Sequence, residues 1–573
     1  MQKRILYSEA NYAALVREHG YFVDKTPYIA RLERIRNPVF LRPRRFGKSL
    51  LCSILRYYYD RKYADQFEEL FGHTWIGQHP TGQQNQYLVL YFNFSTIATG
   101  PTIQDIDMSF RRQCNNFLHG LRAFCAPLLD EMPAFDLTAP VADNMNILLN
   151  HVWLNGLPRL FVVIDEYDNF ANQLVTGHKD LLYQQLVAED SFFKSFFKTL
   201  KEGRETGAIV NVFITGVLPI LIDELASGFN IATIITLDEE FEAMLGFTQS
   251  EVDHLLDEIY IDYALNPATR QEVDTVIKNH YNGYHFVEPQ AEALYNSTIL
   301  MYFLLHLTRY GRMPEFLTDL NLRTDLSWVR RLTSAHAGDT EAFVTQLTTE
   351  NRIAYDKNFL TTKFNTSQFF QPGFYPISFF YLGMLTLEDK FFLRLPNLNL
   401  RQIFIEYFNE LHHIDVSTRY SELMQAFVNQ PDLEFLFAGY WREYISQFPE
   451  AIFAKVNENF YRATFFELCS RYLSHLFTWN VERSYPSGKS DLEFVGKYHE
   501  KFAGLHWVIE FKYFSNSEFR KFNTTIDAFQ LRAEDTAQIA GYVEGLRGEY
   551  PEARIEQYVI YCFGNQGYRV FKL

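Results

Sequence analysis

The chain has 573 residues, which is more than one ordinary hydrophobic core accommodates, so we expect about two to four domains. Hydrophobic residues make up 47% of the sequence and charged residues 21%, which argues against an extended disordered protein. The net charge of −16 argues against a protein that coats nucleic acid with its whole surface. Residues 31–62 nevertheless hold ten Lys or Arg and only two Asp or Glu, so this segment is a candidate for a local polyanion-binding site.

The sequence carries no targeting or membrane signal that we recognise. The first twenty residues lack the apolar core of a signal peptide, and the most apolar run, residues 299–307, is too short to cross a bilayer. The five cysteines show neither metal-binding spacing nor a disulfide framework, which is typical of a reducing compartment. We therefore expect a cytoplasmic protein without a membrane partner.

The first half of the chain alternates strand-like apolar runs with longer helical patterns. The candidate strands are residues 38–41, 87–94, 160–164 and 210–215. This alternation predicts an α/β domain whose largely parallel sheet is covered by helices on both faces.

A basic loop, Arg-Pro-Arg-Arg-Phe-Gly-Lys-Ser, occupies residues 42–49 between the first strand and an apolar-periodic helix. A phosphate-binding loop needs inward backbone N–H groups, a lysine for the outer phosphates and a hydroxyl for Mg²⁺. Arg42 stands where the usual first glycine is expected. The three arginines either add charge to a phosphate site or form a solvated basic loop. The candidate nucleotide-binding residues of the loop are Arg44, Arg45, Phe46, Gly47, Lys48 and Ser49.

Polar side chains also follow the third and fourth candidate strands. Asp165 is a candidate Mg²⁺ ligand together with Ser49, and Glu166 is a candidate catalytic residue that polarises an attacking water. Thr215 lies at the end of the fourth strand, and ligands gather at the carboxyl ends of parallel strands. The pattern predicts a P-loop site for ATP and Mg²⁺, although a strand ending in Asp-Glu is by itself more often an ordinary terminus.

The middle of the chain is predicted to be mainly helical. Residues 246–330 begin with a capping box at Thr248 and Glu251, and residues 401–444 are also helical in pattern. Residues 331–396 show no clear pattern, and residues 379–387 fit a buried strand or a helix. We expect domains at residues 1–245 and 436–573, joined by a middle region at 246–435.

The C-terminal segment has an α/β order. We expect helices at residues 459–477 and 534–546, and strands at 491–495, 507–513 and 556–562.

Three side chains of this segment form a candidate catalytic site. Glu510 and Lys512 are two residues apart on a predicted strand and so face the same side. If the preceding strand pairs with theirs, Asp491 approaches them, and the metal ligands Asp491 and Glu510 can hold Mg²⁺ or Mn²⁺. The metal would activate water for attack on a phosphodiester, while Lys512 positions the nucleophile or stabilises the phosphate. A cross-strand salt bridge is the alternative. Glu467 is either a further acid or a solvent-facing helix residue, and Glu493 can substitute for Asp491.

Taken together, these motifs resemble the bacterial AAA-ATPase-like proteins that carry a C-terminal PD-(D/E)XK nuclease domain. The resemblance spans nearly the whole chain, through residues 22–26, 42–49, 164–168, 213–217, 245–248, 281–285, 381–386 and the C-terminal site. It implies that an arginine in place of the first glycine is normal for the family and that Asp24 and Lys25 are site or scaffold residues. It also implies a restriction-endonuclease-like C-terminal domain, with Gln538 and Tyr542 similar to a pair in some of these nucleases. His280 and His285 flank a glycine turn and indicate packing instead of a metal site.

Two functions from different classes follow. The first is an ATP-regulated, metal-dependent nuclease acting on nucleic acid. The alternative is a nucleotide-dependent switch or interaction protein with a protein partner and an inactive nuclease-like domain. A helicase-like motor fits less well, because the sequence shows no second motor core and no broad basic channel.

Overall fold

The computed structural model describes residues 2–125, 134–219, 228–317, 337–361, 365–416, 420–498 and 500–573. The end of the predicted helical segment, residues 318–330, lies outside the described residues.

The N-terminal part is built on a five-stranded parallel sheet. Its strands are β1 (Pro38–Leu41), β2 (Leu88–Asn93), β3 (Leu160–Asp165), β4 (Ile209–Gly216) and β5 (Thr233–Ile234). They lie in the order β2-β3-β4-β1-β5, and every neighbouring pair is parallel. The predicted parallel sheet is confirmed, and the four strand predictions are correct to within one or two residues. Because β4 lies between β1 and β3, the phosphate loop after β1 and the carboxylates after β3 flank the end of β4.

Helices cover both faces of this sheet. On one face, Tyr59 of the helix after β1 stacks on Phe161 of β3 with ring centroids 4.2 Å apart. On the other face, Phe92 of β2 makes edge contacts with Phe117 and Phe196. The helices of four or more residues in this part are Tyr12–Arg17, Pro27–Leu32, Lys48–Tyr59, Arg61–Gln66, Phe67–Phe71, Trp75–Gln78, Ile103–Phe124, Val141–Leu154, Asn169–Thr176, Asp180–Leu186, Phe192–Thr206 and Glu239–Met244.

The middle region is mainly helical, as predicted, with one small sheet. Its strands β6 (Ile353–Ala354), β7 (Thr386–Leu387) and β8 (Phe392–Arg394) are antiparallel. Residues 379–387, predicted as strand or helix, contain both, because one helix ends at Tyr381 and β7 follows. The helices of four or more residues between residues 246 and 457 are Gln249–Asp262, Arg270–Tyr281, Ser297–Tyr310, Ala337–Glu350, Asn358–Thr361, Thr366–Phe369, Tyr375–Tyr381, Leu398–Leu411, Ser421–Asn429, Leu433–Glu443 and Glu450–Ala454.

A second five-stranded sheet forms the C-terminal part. Its strands are β9 (Phe477–Tyr485), β10 (Gly488–Gly496), β11 (Leu505–Phe514), β12 (Arg554–Phe563) and β13 (Gly567–Lys572). They lie in sequence order, and β11 and β12 are parallel whereas the other pairs are antiparallel. The helices here are Glu458–Leu473, Asn516–Lys521 and Ala533–Glu549.

The sequence prediction was wrong at one helix end and missed both edge strands of the second sheet. The helix predicted at residues 459–477 ends at Leu473, and Phe477 already belongs to β9. In β9, buried Phe477 and Trp479 alternate along a single strand with polar neighbours, which is the period of a strand and not of a helix. The last strand, β13, was also not predicted.

All five cysteines of the chain are buried free thiols. Burial raises the pKa of each thiol: Cys52, Cys114, Cys125, Cys469 and Cys562. Within the described part of the chain, no helix combines the length and the apolar character needed to span a bilayer.

Candidate functional site

The loop after β1 has the backbone geometry of an anion site. Gly47 adopts φ = 95°, a conformation that side-chain-bearing residues rarely take, and it caps the helix Lys48–Tyr59 without a side-chain hydrogen bond. Arg45 also has a positive φ of 69°. The first N–H groups of that helix therefore meet no capping side chain, which is the arrangement that favours a phosphate at a helix N-terminus.

Lys48 is buried inside this loop. Its Nζ donates to the carbonyl oxygens of Arg42 at 2.9 Å and of Pro43 at 2.8 Å. Burial lowers the pKa of Lys48, and the carboxylates of Glu166, Asp168 and Asp165 act in the opposite direction. A phosphate group would thus replace two neutral carbonyl acceptors with a charged one.

The two carboxylates predicted after β3 both stand at this end of the sheet. Asp165 is fully buried, and burial raises its pKa against the hydrogen bonds from Ser49 and Tyr91. Its Oδ1 is buried and accepts no hydrogen bond from any described residue. Glu166 adopts φ = 51°. Burial raises the pKa of Glu166, and the negative charge of Asp165 raises it further. An unpartnered carboxylate oxygen beside a serine hydroxyl fits the oxygen ligands that Mg²⁺ prefers.

A cavity of about 390 Å³ opens next to the loop. Its lining includes the phosphate-loop residues Arg44, Arg45, Phe46, Gly47, Lys48 and Ser49 together with Glu166 and Asp168. Apolar side chains also line it, among them Leu15, Tyr21, Phe22, Leu245, Phe247 and Met301. The cavity therefore combines charged and apolar lining groups, and residues of the middle region contribute to it.

Two candidate residues lie outside this cavity lining. Thr215 is buried, and its hydroxyl donates to the carbonyl oxygen of Phe40 at 2.7 Å. Asp165 is hydrogen-bonded to Ser49, which lines the cavity. Thr215 and Asp165 both lie at the carboxyl ends of parallel strands, at the end of the sheet where β1 leads into the phosphate loop.

Arg42 neither adds charge to the phosphate site nor forms a solvated loop, which corrects both interpretations of this residue. Its guanidinium is buried between the rings of Phe40 and Phe286, with centroid distances of 4.3 and 4.5 Å. It also donates to three backbone carbonyl oxygens, those of Leu41, Thr236 and Glu242. The residue in place of the first glycine therefore holds the loop to the sheet and to the middle region.

Several motif segments of the middle region pack directly on the phosphate loop. Gly383 has φ = 76°, and a Cβ there would lie 2.4 Å from the Cβ of Pro43, so only glycine fits. Tyr284 makes an edge contact with Phe46 at 5.1 Å between ring centroids. The N–H of Thr298 donates to the carbonyl oxygen of Arg45 at 3.1 Å. The loop is thus enclosed by the middle region.

The motif residues Lys25, His280 and His285 have structural partners. Lys25 Nζ pairs with Glu251 at 2.7 Å and also donates to the carbonyl oxygen of Ala243. His280 Nδ1 lies 2.8 Å from Asn399 Oδ1, and His285 donates its backbone N–H to Thr386.

In the C-terminal sheet, β10 and β11 bring Asp491, Glu510 and Lys512 together. The strands pair with Leu492 opposite Ile509, which places Asp491 beside Glu510. Lys512 Nζ lies 2.7 Å from Glu510 Oε1, and the same oxygen accepts from Gln538 Nε2 at 2.7 Å. Tyr542 accepts a second hydrogen bond from Gln538, so the predicted Gln-Tyr pair does face this site.

The site also contains a carboxylate that the sequence analysis missed. Glu458, in the first turn of the helix Glu458–Leu473, interacts electrostatically with Asp491, Lys512 and Glu510. Burial and then the charge of Asp491 raise the pKa of Glu458 to about 7 and that of Glu510 to about 8. Burial also raises the pKa of Asp491. Three acidic groups held in one buried region repel one another, which is the situation that a bound cation relieves.

Neither of the two other acids considered from the sequence lies free at this site. Glu467 is fully buried and ion-paired with Arg471, so its description as a solvent-facing residue was wrong. Glu493 is also fully buried. Its oxygens accept from Tyr485, Ser490, Asn480 and His506.

The fit of a metal ion to the C-terminal site rests on Glu510. Its Oε2 is buried and accepts no hydrogen bond within the described part of the chain. Asp491, in contrast, has both oxygens in use: Oδ1 accepts from Arg462 Nη1 at 2.9 Å and Oδ2 from the N–H of Phe511 at 2.8 Å. Among the described residues, no three His, Cys, Asp or Glu side chains are arranged so that together they could hold a metal ion. Glu510 fits a divalent cation as the structure stands, and Asp491 would fit one only after Arg462 leaves its Oδ1.

Comparison with known proteins assigns the two parts. Residues 7–226 match the family described as Predicted AAA-ATPase, and residues 456–572 match the PD-(D/E)XK nuclease superfamily. The chain joins an AAA-ATPase-like domain to a PD-(D/E)XK nuclease domain. A solved structure, a Walker-type ATPase of Pyrococcus abyssi, is 11% identical, with a TM-score of 0.36 over 66% of this chain and 94% of that chain. No curated protein matches the chain.

The assignment confirms the two-part organisation that the resemblance implied. The phosphate loop and Asp165 lie within the AAA-ATPase-like domain, and Glu458, Asp491, Glu510 and Lys512 lie within the PD-(D/E)XK nuclease domain. Together the two domains support a nucleotide-binding nuclease.

Proposed function

We propose that this chain is an ATP-binding, metal-dependent nuclease whose cleavage of nucleic acid is regulated by the bound nucleotide. The observation that carries the proposal is the arrangement of Glu510: one oxygen is held by Lys512 and Gln538, and the other is buried without a described partner. A buried carboxylate oxygen without a donor is costly unless a cation binds it.

Each residue of the nuclease site has a distinct role in this proposal. Asp491, Glu510 and Glu458 would hold Mg²⁺ or Mn²⁺. The bound metal supplies a lowered water pKa and compensates charge on the phosphate. Lys512 orients Glu510 in the structure, and its ammonium group would position the attacking water or stabilise the phosphate. Gln538 also holds Glu510 in place, because its amide donates to the same oxygen as Lys512.

The nucleotide site supports ATP as the regulating ligand. The cavity volume of about 390 Å³ falls in the range of small-molecule sites. Lys48 would leave the carbonyl oxygens of Arg42 and Pro43 for the outer phosphates, with Arg44 and Arg45 adding positive charge. Ser49 and Asp165 would hold Mg²⁺, Glu166 would polarise water, and Thr215 would support the end of β4. Apolar side chains of the lining, such as Leu245 and Phe247, would contact the base.

The proposed domain limits are residues 1–245, 246–435 and 436–573. The middle region would then act as a connection, since it lines the nucleotide cavity through Ser297, Thr298 and Met301. It also contacts the nuclease domain, for example through the hydrogen bond from Asn279 Nδ2 to the carbonyl oxygen of Trp479 at 3.1 Å.

The test is cleavage of single- and double-stranded DNA and RNA with Mg²⁺ or Mn²⁺, with and without ATP. Wild type is compared with Lys512→Ala and with Lys572→Ala, a matched lysine that pairs with Glu556 outside the site. Cleavage that Lys512→Ala abolishes and Lys572→Ala retains would support the nuclease. Cleavage that is unaltered in Lys512→Ala would contradict it.

A second candidate is the nucleotide-dependent switch or interaction protein with an inactive nuclease-like domain. It is favoured by Asp491, whose two oxygens are already occupied. Folded protein that binds ATP, cleaves none of these substrates and retains a protein partner would establish this function instead.

A further inference from the structure

The most unusual contact of the nuclease site is the one between Asp491 and Arg462. Arg462 lies on the helix Glu458–Leu473, is 5% exposed and donates from Nη1 to Asp491 Oδ1 at 2.9 Å. The guanidinium thus occupies Oδ1, one of the two oxygens through which the Asp491 carboxylate would bind a metal ion. Because arginine is charged at any pH of interest, it competes with a cation for Asp491 directly.

Arg462 is itself held by a second ion pair that leads out of the site. Its Nη2 donates to Glu482 Oε1 at 2.8 Å, and Glu482 Oε2 accepts from Arg401 Nη2 at 2.9 Å. Glu482 adopts φ = 55° within β9, a conformation that is uncommon outside glycine. The four residues form a continuous row of alternating charges, Arg401–Glu482–Arg462–Asp491, which we call the charge row.

The charge row begins on a helix that lies next to the phosphate loop. Arg401 lies on the helix Leu398–Leu411. Leu400, Ile403 and Phe404 of the same helix line a small cavity together with Pro43 and Arg44. One helix therefore shares a cavity with the nucleotide-binding loop and also carries the first member of the charge row.

We propose that Arg462 acts as a built-in competitor for the divalent cation at Asp491, and that Arg401 and Glu482 set how strongly it competes. This inference rests on the proposed function, because it assumes that Asp491 is a metal ligand. Arg462 is a positioning residue in this scheme and takes no part in the chemical step. A shift of the helix Leu398–Leu411 that draws Glu482, and with it Arg462, away from Asp491 would open the site to metal.

The two central members of the charge row give opposite expected results. Arg462→Gln removes the competitor, so Mn²⁺ is expected to bind about tenfold more tightly, as the loss of a charge-assisted hydrogen bond implies. Glu482→Gln removes one of the two ion-pair partners of Arg462 and leaves Asp491 as the other, so Mn²⁺ is expected to bind several-fold more weakly. Arg462→Lys keeps the charge without the two-pronged geometry and is expected to bind Mn²⁺ with intermediate affinity.

The experiment measures Mn²⁺ binding to the full chain by electron paramagnetic resonance, without nucleotide and without nucleic acid. The Mn²⁺ binding that is lost in Asp491→Asn is assigned to the nuclease site. Arg471→Gln is the matched control, because it removes the same charge from the same helix at a residue paired with Glu467. Circular dichroism checks that each variant is folded.

Unchanged or weaker Mn²⁺ binding in folded Arg462→Gln would overturn the inference, and so would tighter binding in Glu482→Gln. If Arg462→Gln does not fold, the Mn²⁺ affinities of the other two variants test the inference. Arg462→Lys is then expected to bind Mn²⁺ more tightly than wild type and Glu482→Gln more weakly, and the opposite directions would overturn it. The proposed function is judged separately by cleavage: tighter Mn²⁺ binding without cleavage would leave the inference standing and remove the nuclease. Cleavage together with unaltered Mn²⁺ affinities would support the nuclease and overturn the inference about Arg462.

Discussion

Lys48 Nζ lies 2.8 Å from the carbonyl oxygen of Pro43, so the lysine that would meet the phosphates is folded back onto its own loop. The loop thereby keeps a buried ammonium group satisfied in the absence of a ligand, and nucleotide binding exchanges these contacts for phosphate oxygens.

Replacing Lys48 by alanine is therefore expected to weaken ATP binding more than it weakens folding. The loss of charge-assisted contacts corresponds to about 2 kcal/mol, or roughly thirtyfold in Kd. Isothermal titration calorimetry measures this directly. Lys194→Ala, at another buried lysine of the same domain that pairs with Glu189, is expected to bind ATP like wild type. Equal ATP affinity in Lys48→Ala and wild type would contradict the assignment of the loop.

Restoring the usual first glycine is expected to damage this protein. Arg42→Gly would remove the guanidinium between Phe40 and Phe286 and leave three buried carbonyl oxygens without their donor. We expect the free energy of unfolding to fall by about 3 kcal/mol or more, as measured by urea denaturation. Arg44→Ala, at a residue that lines the cavity, is expected to leave stability nearly unchanged and to weaken nucleotide binding.

Glu458 and Glu467 lie on the same helix, but we expect Glu458 to contribute to metal binding and Glu467 to contribute to stability. Glu458→Gln removes a negative charge next to Asp491, so we expect Mn²⁺ affinity and cleavage to fall by about tenfold to a hundredfold. Glu467→Gln breaks the ion pair with Arg471, so we expect lower stability with unaltered Mn²⁺ affinity. Calorimetric Mn²⁺ titration and thermal denaturation of both variants separate the two effects, and a reversed pattern would refute the assignment of Glu458.

The free energy of unfolding is expected to depend on pH through His280, which lies outside both candidate sites. Burial lowers its pKa from the ordinary 6.5 to about 4, against the hydrogen bond with Asn399 and with help from the charge of Lys497. Since the unfolded chain takes up this proton near pH 6.5 and the folded chain only near pH 4, the residue lowers stability as pH falls through this window. The expected difference between pH 7 and pH 5 is about 2 kcal/mol, and His280→Gln should lack it. Urea denaturation at both pH values measures the difference; identical losses in variant and wild type would show that His280 does not contribute.

Arg401 is expected to connect the nucleotide to cleavage. In Arg401→Gln the helix Leu398–Leu411 keeps its contact with the phosphate loop but loses its ion pair with Glu482. We expect wild type to cleave at different rates with ATP and with ADP, and Arg401→Gln to cleave at one rate with both. Arg352→Gln, which removes a more exposed arginine of the middle region, should retain the nucleotide effect.

The features of the fold and of the candidate sites that could be predicted are those formed by residues that lie close together in the sequence. Four of the five strands described in the first sheet, the loop of Lys48 and Ser49, and the pair Glu510 and Lys512 follow from short patterns; the short edge strand β5 was not predicted. The burial of Arg42 did not follow, because one of its two flanking rings, Phe286, lies far along the chain.

Glu458 and Arg462 were missed for the same physical reason. Both lie on a helix whose approach to the sheet is set by packing, and an acid in the first helical turn is usually explained by the helix dipole alone. The only local signal was the helix cap at Asn457, whose side chain accepts from the N–H of Phe460 and so fixes where the helix begins. An earlier placement of that helix start would have included Glu458 in the helix that packs on β10 and β11.

The burial of every native thiol has a practical consequence for watching this molecule move. Maleimide dyes react with exposed thiolates, and five buried cysteines with raised pKa values are poor targets. One cysteine introduced at exposed Leu181 and another at exposed Tyr498 would therefore take fluorophores in the otherwise wild-type sequence. Single-molecule energy transfer between them would report whether ATP changes the spacing of the two domains.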